Sequence, residues 1–256
     1  MAKKISKKRG GQPPINYKKG QKPTKTAVAA ANPHAISYDM TIELLSPLHL
    51  GSGQGDVNLD TDVCHDEYGL PYFPAKRLKG LLYESALEVA EMAALSDGFL
   101  EAKTVGELFG HTADSQVQIT VHDFFLPDYA AIQEYWRNMA QRWPHIFRAE
   151  TVLATYSALR FHTSIDPATG LAADSSLHNM RVVNEGLMFQ GQIMLENSAP
   201  AHQKALLLAV ANLRRAGLKR NRGLGQIKCR LTNAAFTLAE AMNWGVAPTP
   251  TRGTAP

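Results

Sequence analysis

Between Leu213 and Leu231 the chain reads LRRAGLKRNRGLGQIKCRL, a strongly basic stretch holding three glycines. Just before it, Leu206, Leu207, Val210 and Leu213 recur at helical spacing. After it, Ile227, Cys229 and Leu231 alternate with Lys228 and Arg230, the pattern of a strand with one apolar face. A helix therefore passes into a strand through a turn holding Gly217, Gly223 and Gly225 beside Lys219, Arg220 and Arg222. Glycine allows positive φ and lets a ligand come close to the backbone. Cations beside exposed amides make a surface suited to phosphate. A C-cap glycine with solvated charge would also explain each feature singly. The density of cations favours a polyanion.

The 256 residues and 45% hydrophobic content suit one large domain or two small ones. The net charge of +4 is mild, but it is unevenly spread. Nine Lys and Arg precede the first acid, Asp39. Residues 1–36 read as a basic arm unable to bury enough apolar surface to order itself. Residues 241–256, rich in Pro and Thr, read as a frayed tail. Cys64 and Cys229 are far apart and lack CxxC spacing, which argues against a disulfide framework or structural zinc and fits a reducing cytosol. No apolar run of membrane-spanning length is present, and there is no signal-peptide core.

Ser37–Leu45 alternates as a strand, with Tyr38, Met40, Ile42 and Leu44 on one face. Pro47 ends it, and a glycine-rich loop from His49 to Gly55 follows. That loop lacks the Gly-Lys-Ser/Thr ending of a phosphate-binding P-loop. Asp56, Asp60, Asp62 and Asp66 come next, without the Gly and Glu positions of an EF-hand. Lys76-Arg77-Leu78-Lys79-Gly80 opens a helix whose apolar face is Leu78, Leu82, Ala86 and Val89. Three cations oppose the macrodipole at a helix start, and a bound anion would relieve that cost. Val105–Gly110 reads as a helical turn, Gln118–Leu126 as a strand, and Tyr129–Trp143 as a helix. The stripe Ile132, Tyr135, Trp136 and Met139 is read as core. Asp166–Gly170 is a turn by composition, and Leu187–Leu195 is a strong strand, so a protruding hairpin is expected between about 150 and 187. His162 and His178 are lone loop histidines and are read as non-catalytic. A helix over Gln203–Ala216 and a last strand from Gln226 to about Leu238 complete the chain. The expected class is α+β, with a ferredoxin-like βαββαβ core over residues 37–240, an inserted hairpin and a helical insertion.

Four stretches, in order, resemble a known family. His49-Leu50-Gly51 is similar to its H-x-G loop, and Tyr72–Gly80 to its I-P-G-S-S-L-K-G segment. Thr163–Asp166 through Glu185 resembles its thumb hairpin, I-D-x-x-T-G-x-A…E, and Arg220–Ile227 its R-G-x-G-x-V glycine loop. The family is the RAMP superfamily of CRISPR proteins, and within it the backbone subunits of type III effector complexes. The chain departs from the pattern where Ala75-Lys76-Arg77 replaces Gly-Ser-Ser, which would make phosphate contacts there cationic.

The resemblance implies a subunit that stacks along a guide CRISPR RNA with copies of itself and other effector subunits. Its thumb would press between guide and target RNA. In cleaving members an aspartate after the H-x-G loop cuts the target at regular intervals with a divalent metal, Mg2+ or Mn2+. Alignment puts Asp60 on that catalytic and metal-binding position, with Asp62 and Asp56 as runners-up. Implied RNA contacts are His49, Gly51, Lys76, Arg77, Lys79, Ile165, Lys219, Arg220, Arg222, Gly223 and Gly225. The alternatives are a non-cleaving backbone or capping subunit, or a guide-processing nuclease. The last would want a histidine base, for which His49 is the candidate beside the glycine loops.

Overall fold

A computed structural model describes residues 35–53, 61–96, 98–172 and 176–243. Its centre is β1 (Ala35–Leu44), which buries Tyr38, Met40, Ile42 and Leu44, as the alternation requires. The strand pairs antiparallel on one side with β5 (Met188–Glu196), Met40 opposite Gly191. On the other side it pairs antiparallel with β6 (Ile227–Thr232), Met40 opposite Leu231. The short β2 (Gln118–Val121) lies outside β5, giving the order β2-β5-β1-β6. Two helices cover the buried face, α1 (Ala75–Ala94) after β1 and α5 (Pro200–Asn212) after β5. With the insertions removed, the path is β1-α1-β2-β5-α5-β6, which is the ferredoxin-like βαββαβ topology.

The two helices touch through small residues. Ala86, Ala90 and Ala93 of α1 and Ala205 and Ala209 of α5 are all buried. At the seam the Ser85 hydroxyl donates to the Ala209 carbonyl at 2.8 Å. The Asn212 amide closes the end, donating to Ser85 Oγ at 3.2 Å and to Glu88 Oε2 at 3.0 Å.

The insertions are α2 (Ala102–Phe109) and a longer block between β2 and β5. That block holds α3 (Tyr129–Arg142), α4 (Ala149–Tyr156), β3 (Ser157–His162) and β4 (His178–Val183). β3 and β4 form the expected hairpin as a separate two-stranded sheet. α6 (Leu238–Ala241) ends the described chain with a Thr237/Glu240 capping box. Among the described residues no helix is long and apolar enough to cross a membrane.

Several expectations need correction. The Ile132/Tyr135/Trp136/Met139 stripe is not core: α3 buries no residue, and Tyr135 is 52% exposed. Ile132 and Trp136 only lean on the main core. The expected strand Gln118–Leu126 is regular only over Gln118–Val121, because it bulges before rejoining β5 at Phe125. Val121 faces Ile193 but Phe125 faces Gln190, so four steps oppose three. α5 stops at Asn212, four residues before the expected Ala216, because the chain turns to meet the start of β6; the Ile227 N–H donates to the Arg214 carbonyl at 2.9 Å. β6 stops at Thr232, where the chain turns toward α6. α4 was not foreseen. His162 and His178 face each other as a cross-strand pair and do not lie in loops.

Candidate functional site

The loop after β1 is stitched to three other parts of the molecule through its backbone. The Leu48 N–H donates to the Val183 carbonyl at 2.9 Å, and the Val183 N–H to the Leu48 carbonyl at 2.7 Å. The Pro47 carbonyl accepts from the Gly225 N–H at 2.9 Å, and the His49 carbonyl from the Leu218 N–H at 3.1 Å. The glycine turn is thus seated directly on the H-x-G loop. Two of its glycines are required by that seating. Gly217 and Gly225 have φ of 76° and 75°. A Cβ on Gly217 would run into the His49 carbonyl, and one on Gly225 into the Ala216 carbonyl.

His49 itself is 1% exposed. Its Nδ1 lies 2.6 Å from the Arg181 carbonyl, so Nδ1 carries the proton and donates. Burial lowers the imidazole's basicity, and the charges of Arg77 and Lys219 push the same way. His49 therefore organises the loop from behind and presents no atom to solvent. Gly51 forms a bridge with Val63, and its carbonyl accepts from the Arg77 guanidinium. The Ser52 N–H donates to the Asp62 carbonyl at 2.7 Å, and the Cys64 N–H to the Leu50 carbonyl at 2.9 Å. These bonds zip residues 50–52 to residues 62–64.

α1 begins at Ala75 without a side-chain cap from its N-cap Pro74 and with no acid in its first turn. One free amide is satisfied from afar: the Ala75 N–H donates to Asp123 Oδ1 at 2.7 Å. The β2 bulge is what aims Asp123 there. Lys76 and Arg77 remain exposed at this helix start. Lys79 turns away, its ammonium 3.4 Å from the Ile119 carbonyl on β2.

Two adjoining cavities run along α1. The smaller, about 240 Å³, is lined by Leu50, Lys76, Arg77, Gly80, Leu81, Glu84, Gly217, Leu218 and Arg220. The larger, about 930 Å³, adds Arg214, Arg215, Lys219 and Arg222 and, beside the shared Glu84, Glu88. Arg220 borders both, with its guanidinium 3.8 Å from Glu84. Such an exposed pair contributes roughly 0–1 kcal/mol, so Arg220 can exchange this partner for an anion at little cost.

The expected site residues separate accordingly. Lys76, Arg77, Lys219, Arg220 and Arg222 line the cavities. Gly223 is exposed with open space where a side chain would lie. Gly51 adjoins the cavity at Leu50, while His49 and Gly225 are buried behind it and Lys79 lies outside it. Ile165 projects from the hairpin, 58% exposed. The hairpin root is fixed to the glycine turn by a small cluster of Met180, Val182 and Leu224. Asp62 is described and is engaged by Arg181, whose Nε donates to Oδ1 at 3.0 Å. Asp60 and Asp56 lie outside the described residues. Among the described residues no group of three or more His, Cys, Asp or Glu side chains converges as a metal cage. Sequence reasoning missed Arg181 and Asp123, whose partners are far along the chain.

Against this geometry the comparisons are decisive for the family. The model of the RAMP superfamily matches residues 41–228, from β1 to the start of β6. The chain belongs to the RAMP superfamily. The RAMP match takes in the H-x-G loop, the α1 start, the hairpin and the glycine turn. A chain of the type III-B Cmr-beta complex bound to cognate target RNA, solved by cryo-EM, superposes with a TM-score of 0.56 at 14% identity, over 77% of this chain and 98% of the other. A chain of the same complex in its apo state gives 0.53 at 13% identity, over 77% and 97%. At these identities the likeness concerns the fold. Comparison with curated proteins finds no match.

Proposed function

We propose that this RAMP protein is a guide-RNA-binding backbone subunit of a type III CRISPR effector complex and cuts complementary target RNA at regular intervals. The observation that carries this reading is the cavity where Lys76 and Arg77, in the first turn of α1, face Gly217, Leu218 and Arg220 of the glycine turn. Clustered cations of this kind suit phosphate. Contacts of that kind fix a strand's path without reading its bases, which are left to pair with a target. Support for the type of complex comes from the Cmr-beta chains that share the fold, one of them in a complex bound to cognate target RNA. Other effector subunits and further copies of this chain are the proposed protein partners.

For the cut, Asp60 is the proposed carboxylate, with Mg2+ or Mn2+. Mg2+ is commonly held by one or two carboxylates plus substrate phosphates, so a cage formed by protein side chains alone is not required. The ribose 2′-OH beside the scissile phosphate needs in-line geometry, which the protein supplies by holding the strand. A guide-processing nuclease with His49 as base is disfavoured, because His49 is buried and its Nδ1 proton is committed to the Arg181 carbonyl.

In an assembled complex with guide RNA, Asp60→Ala should abolish divalent-dependent cleavage of a complementary RNA and leave its binding intact. Chelating the divalent cation should stop the wild-type reaction in the same way. Unchanged cleavage in the variant would remove Asp60 from the role. An unmodified complex that binds target and never cuts it would make the chain a non-cleaving backbone.

A further inference from the structure

The two faces of the β3–β4 hairpin meet different surroundings. Register pairs Ala158 with Val182, Arg160 with Met180 and His162 with His178, and alternation puts all of them on one face. Met180 and Val182 are buried against Leu224 of the glycine turn. The hairpin face that rests on that turn therefore carries Arg160, directly opposite Met180, and His162, two residues nearer the tip. The turn itself supplies Lys219 and Arg222, which also line the larger cavity along α1. Lys219 holds φ at 55°, a left-handed conformation that glycine adopts without strain, and its carbonyl accepts from the Arg222 N–H at 2.9 Å. Burial lowers the basicity of the His162 imidazole, and the charges of Lys219, Arg222 and Arg160 lower it further, so three cations act on one ring. None of the three forms an ion pair with a described acid, whereas the neighbouring Arg220 is held by Glu84. His162 Nε2 is enclosed and has no hydrogen-bond partner among the described residues. Like charges gathered without a counter-ion repel one another, and an anion among them removes that cost.

We propose that Arg160 and His162 of the hairpin, with Lys219 and Arg222 of the glycine turn, form a second phosphate site, which takes the backbone of an RNA strand where it leaves the cavities along α1. The proposal deepens the RNA-binding reading above and rests on it. Lys219 and Arg222 belong to both surfaces, so the two adjoin. The guanidinium and ammonium groups contact phosphate oxygens directly. His162 acts through its charge: a phosphate beside the ring favours the imidazolium that the cations disfavour. Binding of the strand at this site therefore takes up a proton, and the strand is held more tightly as pH falls.

The test measures binding of the full-length protein to a labelled oligouridylate strand, across salt at fixed pH and across pH at fixed salt. Arg160→Gln should make the slope of log K against log salt shallower by about 0.7, the value of one lost phosphate contact on a single strand. Arg137→Gln removes one positive charge on α3, where Arg137 lies 3.6 Å from Glu134, and should leave the slope unchanged. Wild-type affinity should rise several-fold from about pH 8 to about pH 6, and His162→Gln should flatten that rise. His178, the cross-strand partner, is present in both proteins, so the difference isolates His162. An unchanged slope in Arg160→Gln overturns the site, and so does an equal rise in His162→Gln and wild type. Should the wild-type protein bind no RNA, the RNA reading fails by itself. The anion site is then read by NMR with pyrophosphate, which should move the titration midpoint of the His162 ring upward, and less so in Arg160→Gln. A midpoint indifferent to pyrophosphate would refute the site.

Discussion

His49 is buried, and its Nδ1 donates to the Arg181 carbonyl from beneath the loop after β1. Its ring is sealed beneath the loop that lines the smaller cavity. Burial lowers its proton affinity from the ordinary 6.5; the Arg181 carbonyl opposes this, Arg77 and Lys219 reinforce it, and Asp62 opposes it weakly. The unfolded chain therefore takes up a proton that the folded chain resists as pH drops through 6.5. His49 consequently costs no stability above that value and subtracts stability below it. The melting temperature should fall between about pH 7.5 and about pH 5.5, and fall less in His49→Gln. His162 is shifted in the same direction, so the difference between the two proteins isolates His49. Parallel pH profiles would show that the imidazole is not shielded.

At the scale of elements, the glycine turn and the H-x-G loop are one construction, and Gly225 is where they close. Its φ of 75° and its approach to Ala216 leave no room for a methyl group. Gly225→Ala should cost about 1–3 kcal/mol or more, a drop of several degrees in melting temperature. Gly223→Ala meets open space at a similar φ and should cost less; equal losses in thermal melting would refute the seating described here. The elements with strong periodicity were legible from the sequence. Alternation in β1 and β5 and the apolar face of α1 report burial that each segment achieves by itself. The ends of β2, α5 and β6 were not legible, because a bulge and a distant backbone partner decide them. The α3 stripe misled because helical spacing of aromatics says nothing about whether a second surface exists to cover them. In the site, charge and glycine content marked Lys76, Arg77 and Arg220. Asp123 and Arg181 carried no local signal, since their partners Ala75 and Asp62 are 48 and 119 residues away.

For the whole molecule, the charges along α1 and the glycine turn face a continuous pair of cavities, and the proposed ligand should feel them as counter-ions. Arg220→Ala combined with Arg222→Ala should weaken guide binding to a similar degree for every guide sequence. The slope of log K against log salt should become shallower by about 1.4, from about 0.7 per lost contact on a single strand. Weakening confined to some guides would mean that these side chains read bases. The hairpin adds a different property. Its root rests on Met180, Val182 and Leu224, a cluster separate from the main core, and on the backbone pair between Leu48 and Val183. Three such side chains supply on the order of 5–9 kcal/mol, far less than the interior beneath β1 and β5. The hairpin is in effect a lever hinged at the glycine turn: a load on its tip passes to Leu224 through that cluster, to the loop at Leu48 through the backbone pair, and to the main core through Val183.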